Sequence, residues 1–374
     1  MRFLFTCGGT AGHINPAIGV AGKLKELCPD AEFLFVGADG HMETELVPRE
    51  GYEIKTVQVS NLRRGFKPKD IVHNVKSAAN VVISTSQAKK ILKAFKPDAA
   101  IGTGGYVCYP VLKSAAKLGI PTAVHESNAV PGLTTKMLAD RVDSIMVGFE
   151  ESRAHYKHPE KISVTGTPVR GDFLKYTRES ARKELGLGNE PLVLSFWGSL
   201  GAAKMNEVMA DFIKLNGEKH AFRHVHATGG GDAGLKKMLD LLDDRGVEKT
   251  GDTDVRPYIY DMPLLMAAAD VILCRAGAST LAELAVIGKP AVLVPSPYVT
   301  NNHQEKNASV LRDRGGALML REQEISGEKL FETVAALVSD KARLAEMSRA
   351  MLTLGNPDAT EVIAQNIVSI IKKK

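Results

Sequence analysis

Apolar and β-branched residues fall in short runs, separated by stretches with helical spacing. Arg2–Cys7 is a run of the kind buried on both faces of a sheet. Pro16–Leu27 follows, with Ile18, Ala21, Leu24 and Leu27 on one helical face, and Glu32–Val36 reads as a second strand. Ala99–Ile101, Thr122–His125 and Ser144–Val147 are further strands with helical patterns between them. Such alternation predicts a parallel sheet covered by helices on both faces.

The pattern then begins again. Gly166–Arg170 is turn-rich, and Gly186–Pro191 is polar with Gly and Pro. Leu192–Trp197 is another apolar strand, followed by the loop Gly198-Ser199-Leu200-Gly201-Ala202. Residues 98–124 and 270–294 echo one another: each reads strand, glycine turn, helix, Gly-x-Pro, strand. The echo occurs once per half, which is not a solenoid. It predicts two Rossmann-like domains facing one another, and 374 residues are indeed more than one core usually organises. Gly355-Asn356-Pro357 is a strong break before a last helix, Asp358–Lys374, which by pattern alone fits either domain.

Apolar residues are 44% and charged residues 24%, an ordinary soluble balance that leaves fibrous and disordered classes aside. The four cysteines are far apart, with no CxxC and no histidine cluster at metal spacing, so they read as thiols of a reducing cytoplasm and no metal site is expected. The apolar start, MRFLFTC, is too short for a signal peptide, and no run reaches the roughly 20 residues of a membrane span. The net charge of +5 is unevenly spread: residues 61–97 hold nine Lys/Arg against Asp70 alone. Within them Val72, Val75, Ala79 and Val82 keep helical spacing beside Lys76 and Asn80, and Lys89, Lys90, Lys93 and Lys96 follow. Basic charge beside apolar side chains suits an anionic membrane surface, although a core-facing helix with a solvated lysine face gives the same pattern. Nucleic acid is not expected, because no recognised module or aromatic platform accompanies the charge.

Candidate chemistry sits in glycine loops. Gly8-Gly9-Thr10-Ala11-Gly12-His13 lies between the first strand and the first helix, where glycines bring N–H groups close to a ligand and a helix N-terminus favours an anion. The spacing is not that of a dinucleotide fingerprint. His13 stands at the loop mouth, on the strand edge where ligands bind in open α/β sheets. Gly102-Thr103-Gly104-Gly105-Tyr106 forms a second anion-friendly nest. In His125-Glu126-Ser127-Asn128, His125 and Glu126 suit either acid/base chemistry or a pair that orders the loop. Thr280 and Glu283 fit a capping box, and the same stretch fits a helix end that receives a phosphate while Glu283 grips ribose hydroxyls. Asp252-Thr253-Asp254 reads as a solvated loop despite its likeness to a metal-binding DxD, and Gly229-Gly230-Gly231 as a flexible turn.

Taken together, GGTAGHINPA (8–17), GTGGYVCYP (102–110), HESNAVPGLTTK (125–136), GTPVR (166–170), GSLGA (198–202), CRAGASTLAEL (274–284) and NNHQEKNA (301–308) resemble the MurG family of bacterial transferases, in family order and over nearly the full length. The resemblance implies an α/β GT-B fold: two Rossmann-like domains with parallel sheets facing across a cleft, 1–166 plus 356–374 on the acceptor and membrane side and 167–355 binding the UDP-sugar. It implies inverting transfer of N-acetylglucosamine from UDP-N-acetylglucosamine to lipid I, without a cofactor or metal, at the cytoplasmic face of the plasma membrane. By the same resemblance Arg170, Ser199, Ile259, Ala278, Ser279, Thr280, Leu281, Ala282, Glu283 and Gln304 line the donor site, reached from the other side by Thr10, Ala11, Gly12 and Asn128. Gly104, Gly105 and Tyr106 meet the acceptor diphosphate, and His13 is the first candidate base, with His125 and Glu126 behind it. Ala11 and Leu200 depart from the glycine and glutamine that many members carry there. Another GT-B lipid glycosyltransferase and a UDP-N-acetylglucosamine 2-epimerase remain open readings, and so does a non-catalytic nucleotide-binding module.

Overall fold

The computed structural model describes residues 1–59, 68–247 and 252–372, with side chains described throughout except at 68–79 and 81. Two compact units emerge: Met1–Val169 with Asp358–Lys374, and Arg170–Pro357.

The first unit holds strands β1 (Arg2–Cys7), β2 (Glu32–Ala38), β3 (Glu53–Val57), β4 (Ala99–Gly104), β5 (Thr122–Glu126), β6 (Ser144–Val147) and β7 (Ile162–Val164). Its helices are α1 (Ala11–Leu27), α2 (Glu43–Arg49), α3 (Pro68–Phe95), α4 (Cys108–Lys117) and α5 (Leu133–Leu138). The strands form one parallel sheet in the order β3-β2-β1-β4-β5-β6-β7. Alternate residues of β1 serve opposite faces, as strand geometry requires. Leu4 packs with Leu34, Val36, Leu92, Val111 and Leu112 on the α3/α4 side. Phe3 and Phe5 pack with Phe35, Ile14, Val20 and Leu24 on the α1 side.

In the second unit the strands are β8 (Leu192–Phe196), β9 (Arg223–Ala227), β10 (Thr253–Arg256), β11 (Val271–Cys274), β12 (Ala291–Leu293) and β13 (Ala317–Met319). Its helices are α6 (Arg178–Glu184), α7 (Ala203–Lys219), α8 (Gly231–Asp244), α9 (Met262–Ala268), α10 (Ala278–Val286), α11 (His303–Asp313), α12 (Gly327–Ser339) and α13 (Lys341–Leu352). The sheet is again parallel, ordered β10-β9-β8-β11-β12-β13. Val193, Val271 and Leu273 of the sheet pack against Met205, Phe212, Leu330 and Val334 of the helices. Within this core Ser195 Oγ lies 2.8 Å from His224 Nε2 and 2.7 Å from His226 Nδ1, all three fully buried.

The internal echo has a structural counterpart: β4-α4-β5 and β11-α10-β12 occupy equivalent places in the two sheets. In each, the helix ends at a left-handed glycine, Gly119 at φ +73 and Gly288 at φ +65.

The last helix, α14 (Ala359–Lys372), belongs to the first unit. Ile363, Ala364 and Ile367 enter the α1-side core, Lys23 pairs with Glu361 at 2.9 Å, and Ser144 Oγ donates to Asn366 Oδ1 at 2.8 Å.

Several elements differ from expectation. α1 starts at Ala11, ahead of Pro16, whose missing N–H costs only one bond in the second turn. β4 runs on through the glycines to Gly104. Asp252-Thr253-Asp254 is no loop: Thr253 opens the edge strand β10, where Asp254 pairs with Arg256 and Asp252 with His220.

Candidate functional site

In an open parallel sheet the strand order reverses at one place, and the loops leaving the strand ends there diverge to opposite faces, opening a crevice. In the first sheet that place lies between β1 and β4, in the second between β8 and β11. The glycine loops after these four strands are the ones the sequence singles out.

In the first unit the loop after β1 leads through Thr10, the N-cap residue, into α1. The loop after β4 comes close beside it: Gly8 N–H donates to the Gly104 carbonyl at 3.2 Å. A β-carbon on Gly105 would lie 2.5 Å from the Gly8 carbonyl oxygen, and one on Gly104 only 2.3 Å from Nδ1 of His13. Glycine at 104, with φ +124, is therefore what allows the His13 ring to rest against this loop. The His13 carbonyl accepts a hydrogen bond from Thr103 Oγ1 at 2.6 Å, which fixes the backbone that carries the ring. His13 is half-buried, and Tyr106 at the rim is exposed. Ala11 is the first residue of α1 and its φ is not positive, so alanine replaces glycine there without strain.

The first loop is not an open nest throughout. The N–H of Gly9 donates inward, to Oε2 of the buried Glu43 at 3.0 Å. In the first helical turn the His13 N–H is itself taken by the Thr10 carbonyl at 3.0 Å, whereas helix starts in general favour anions.

The remaining acid/base candidates stand at the end of β5, and the charge of His13 is felt at His125. His125 is buried; its Nε2 donates to the Gly166 carbonyl at 2.9 Å, and its Nδ1 lies 3.3 Å from Ser127 Oγ. Burial holds its pKa below the ordinary value, outweighing the bond to Gly166 and the charge of Glu126. Glu126 is buried and saturated. Oε1 accepts from the Asn128 N–H and Nδ2 at 3.1 and 2.9 Å, and Oε2 from the Gly132 N–H and Thr135 Oγ1 at 2.9 and 2.8 Å. These contacts order the loop and orient Asn128. Of the two functions weighed for His125 and Glu126, the geometry shows hydrogen bonding that orders the loop.

In the second unit the capping box does not form. α10 begins at Ala278 with Gly277 as its N-cap, so Thr280 already lies within the first turn and caps nothing. Ala278, Ser279 and Thr280 instead present a helix start without a side-chain cap, which suits an anion. Glu283, one turn on, is half-buried. Burial pushes its carboxyl up to about 7, with Arg170 pulling it down and Asp172 pushing it up. Arg170 is exposed and pairs with Asp172 at 3.3 Å. The loop after β8 leaves Ser199 exposed and Leu200 87% exposed, while the Ser199 carbonyl accepts from the Gly230 N–H at 3.0 Å. Leu200 therefore contributes nothing to the fold that a polar residue would not.

The side chains of Ile259 and Leu281 are buried, and the Leu281 N–H donates to the Gly277 carbonyl at 3.0 Å. Ala282 is half-buried in α10. Gln304 Oε1 accepts the Ser296 N–H at 2.9 Å, beyond a turn in which Asn301 and Asn302 both have positive φ.

Residues 3–147 match the N-terminal domain of glycosyltransferase family 28, and residues 192–363 match the C-terminal domain of that family. A UDP-N-acetylglucosamine--N-acetylmuramyl-(pentapeptide) pyrophosphoryl-undecaprenol N-acetylglucosamine transferase from Acetivibrio thermocellus is 41% identical over 377 residues, covering 100% of this chain and 99% of its own. A protein of the same name from Thermoanaerobacter sp. is 42% identical over 371 residues, covering 99% of this chain and 100% of its own. The chain belongs to this transferase family. In keeping with that membership, the crystal structure of Acinetobacter baumannii MurG matches with a TM-score of 0.77 at 26% identity, over 98% of this chain and 99% of that one. A UDP-GlcNAc 2-epimerase from Neisseria meningitidis, bound to UDP-GlcNAc, shares the fold at a TM-score of 0.67 and 15% identity, over 100% of both chains. Each of the two units has the parallel α/β architecture of a GT-B transferase.

One buried acid at this site carries no sequence signal of its own. Glu43 follows the loop Gly37-Ala38-Asp39-Gly40-His41, which matches no binding motif. It shows only as an acid at the start of a short helix, which normally marks nothing beyond a favourable helix dipole.

Proposed function

We propose that the protein transfers N-acetylglucosamine from UDP-N-acetylglucosamine to lipid I, the transfer its relatives are named for, and that it does so with inversion and without a metal. The observation that carries this reading is the pairing of roles at the two strand-order reversals. One has a half-buried histidine at a helix start, the other an uncapped helix start beside an arginine and a carboxyl.

The second unit binds the donor. The diphosphate meets the N-terminus of α10 at Ala278–Thr280 and the Ser199–Ala202 loop, with Arg170 adding positive charge, and Glu283 accepts the ribose hydroxyls. Ile259, Leu281, Ala282 and Gln304 complete the donor contacts of this unit. The first unit takes the acceptor, its diphosphate at Gly104, Gly105 and Tyr106. His13 removes the acceptor hydroxyl proton as that oxygen attacks the anomeric carbon, and the bond from that carbon to the UDP oxygen breaks. UDP leaves with the bonding electrons, stabilised by the helix dipole and backbone N–H groups. Asp252 and Asp254 are each already paired, which supports a reading without a carboxylate-held metal.

The protein acts as a peripheral enzyme at the cytoplasmic face of the membrane. Among the described residues no helix is long and apolar enough to span a bilayer. Val82 and Ile83 are 71% and 44% exposed on the helix that also exposes Lys90 and Lys93, which supports docking on anionic lipid. Residues 61–79 and 81 of the basic segment lie outside the described side chains.

The test is UDP release with and without a soluble lipid I analogue in metal-free buffer. Release that requires the analogue and yields a disaccharide is expected. Donor conversion without acceptor would instead indicate an epimerase, and binding without turnover a nucleotide-binding module.

A further inference from the structure

Glu43 opens α2 and is fully buried. Its two oxygens are divided between two backbones: Oε1 accepts the Ala38 N–H at the end of β2 at 2.9 Å, and Oε2 accepts the Gly9 N–H at 3.0 Å. The carboxylate reaches this position because two neighbours lack a side chain. A β-carbon on Gly8 would stand 2.5 Å from Oε1, and one on Gly37 would stand 2.5 Å from Cγ of Glu43. The sequence thus opens space in the loop after β1 and in β2 for one acid.

A buried carboxylate beneath a glycine loop has a consequence for what the loop does. It occupies the Gly9 N–H that a phosphate would otherwise take, and its charge repels a second anion above it. The loop around Gly8 and Gly9 is therefore built to be held from below. Thr10, the N-cap of α1, comes immediately after Gly9, and His13 lies in the first turn beyond it.

We propose that Glu43 is a positioning residue: by holding the Gly9 N–H it fixes the entry of α1 and so the place of His13. The proposal rests on the reading of His13 as the base. It needs no contact between Glu43 and substrate. The restraint passes through a short piece of backbone that turns at Gly9, where φ is +87.

The experiment replaces Glu43 by Gln in the full chain, which puts an NH2 where one of the two amide donors must be accepted. Gly8→Ala serves as a second variant, its β-carbon pressing on the carboxylate from the loop side with no positive φ at that residue. Turnover is measured per donor-binding site, so that unfolded enzyme does not count. Both variants are expected to lose kcat by about 10–100-fold, the scale of a misplaced catalytic group, with donor KM changed by less than about 2-fold. In a His13→Ala background, Glu43→Gln is expected to cost less than about 2-fold further, because the residue it positions is gone. If Glu43→Gln fails to fold, Gly8→Ala carries the same comparison. Unchanged kcat per site alongside a lowered melting temperature would overturn the proposal, leaving Glu43 a purely structural acid. So would a raised donor KM at full kcat, or a full additional loss in the His13→Ala background. Near-normal turnover of His13→Ala alone would strike the base assignment instead, and is read separately from the Glu43 variants.

Discussion

Gly104→Ala tests the geometry around His13 most directly. The new β-carbon would lie 2.3 Å from Nδ1, 2.6 Å from Cε1 and 2.8 Å from Cγ of the ring. Ordinary contact begins near 3.4 Å, so the ring must retreat by roughly 1 Å, a displacement that costs a positioned catalytic group on the order of 10²-fold. The backbone of His13 cannot absorb the shift easily, because its carbonyl is held by Thr103 Oγ1 at 2.6 Å. Alanine at φ +124 adds backbone strain of about 1–3 kcal/mol. At about 2–4 °C per kcal/mol for a unit of this size, melting should fall by several degrees while the enzyme remains folded at 25 °C. The assay is acceptor-dependent UDP release, normalised to folded enzyme, for Gly104→Ala, His13→Ala and the double variant. The double variant should be no slower than His13→Ala, since the clash has no ring left to move. A folded Gly104→Ala enzyme with wild-type kcat, or one whose loss adds in full to that of His13→Ala, would refute the argument.

Charge and burial set three further outcomes. Glu283 titrates near 7, and the form that accepts ribose hydroxyls is the ionised one, so donor KM should fall as pH rises through about 7. Glu283→Gln should flatten that profile, and an unchanged slope would remove Glu283 from the ribose. Burial drives the pKa of His224 well below its ordinary value and that of His226 down to about 3, so between about 3 and 6.5 the unfolded chain binds protons that the folded one does not. Stability is therefore lost as pH falls below about 6.5; thermal melts at pH 7 and pH 5 should show the loss, and His226→Asn should reduce it. Glu126→Gln cannot accept from all four donors of its loop. It should cost about 1–3 kcal/mol in urea unfolding for a donor left unpaired, and wild-type stability would mean that the loop is ordered some other way.

The periodicity of apolar runs is enough to read the strands, because a strand buried on both faces leaves an unbroken signature, as in Phe3-Leu4-Phe5. The position of the loops is legible for a similar reason: glycine is needed wherever two backbones or a ring come within contact distance, as at Gly104 and Gly105. Other features depend on partners remote in sequence. Thr280 and Glu283 have capping-box spacing, yet the helix starts two residues before Thr280, so the spacing meets the wrong turn. Pro16 masks the first turn of α1, since an interior proline looks like a start. His125 and Glu126 carry catalytic residue types, and that their nitrogens and oxygens are engaged with the loop is visible only in the structure. Glu43 leaves no trace in the sequence because its partners, Gly9 and Ala38, offer backbone N–H groups, which no side-chain motif records.

The return of α14 to the first unit makes that unit discontinuous in the chain, and this bears on how it is made. Ile363, Ala364, Ile367 and Ile370 complete the core that Phe3, Phe5 and Ile14 begin. A ribosome must first deliver everything from Arg170 to Pro357. At about 5–20 residues per second, the nascent first half waits on the order of 10–40 s with one apolar flank uncovered. Meanwhile the second unit, contiguous in sequence, can fold as it emerges. The unit whose strands are translated earlier is thus the later of the two to complete its core.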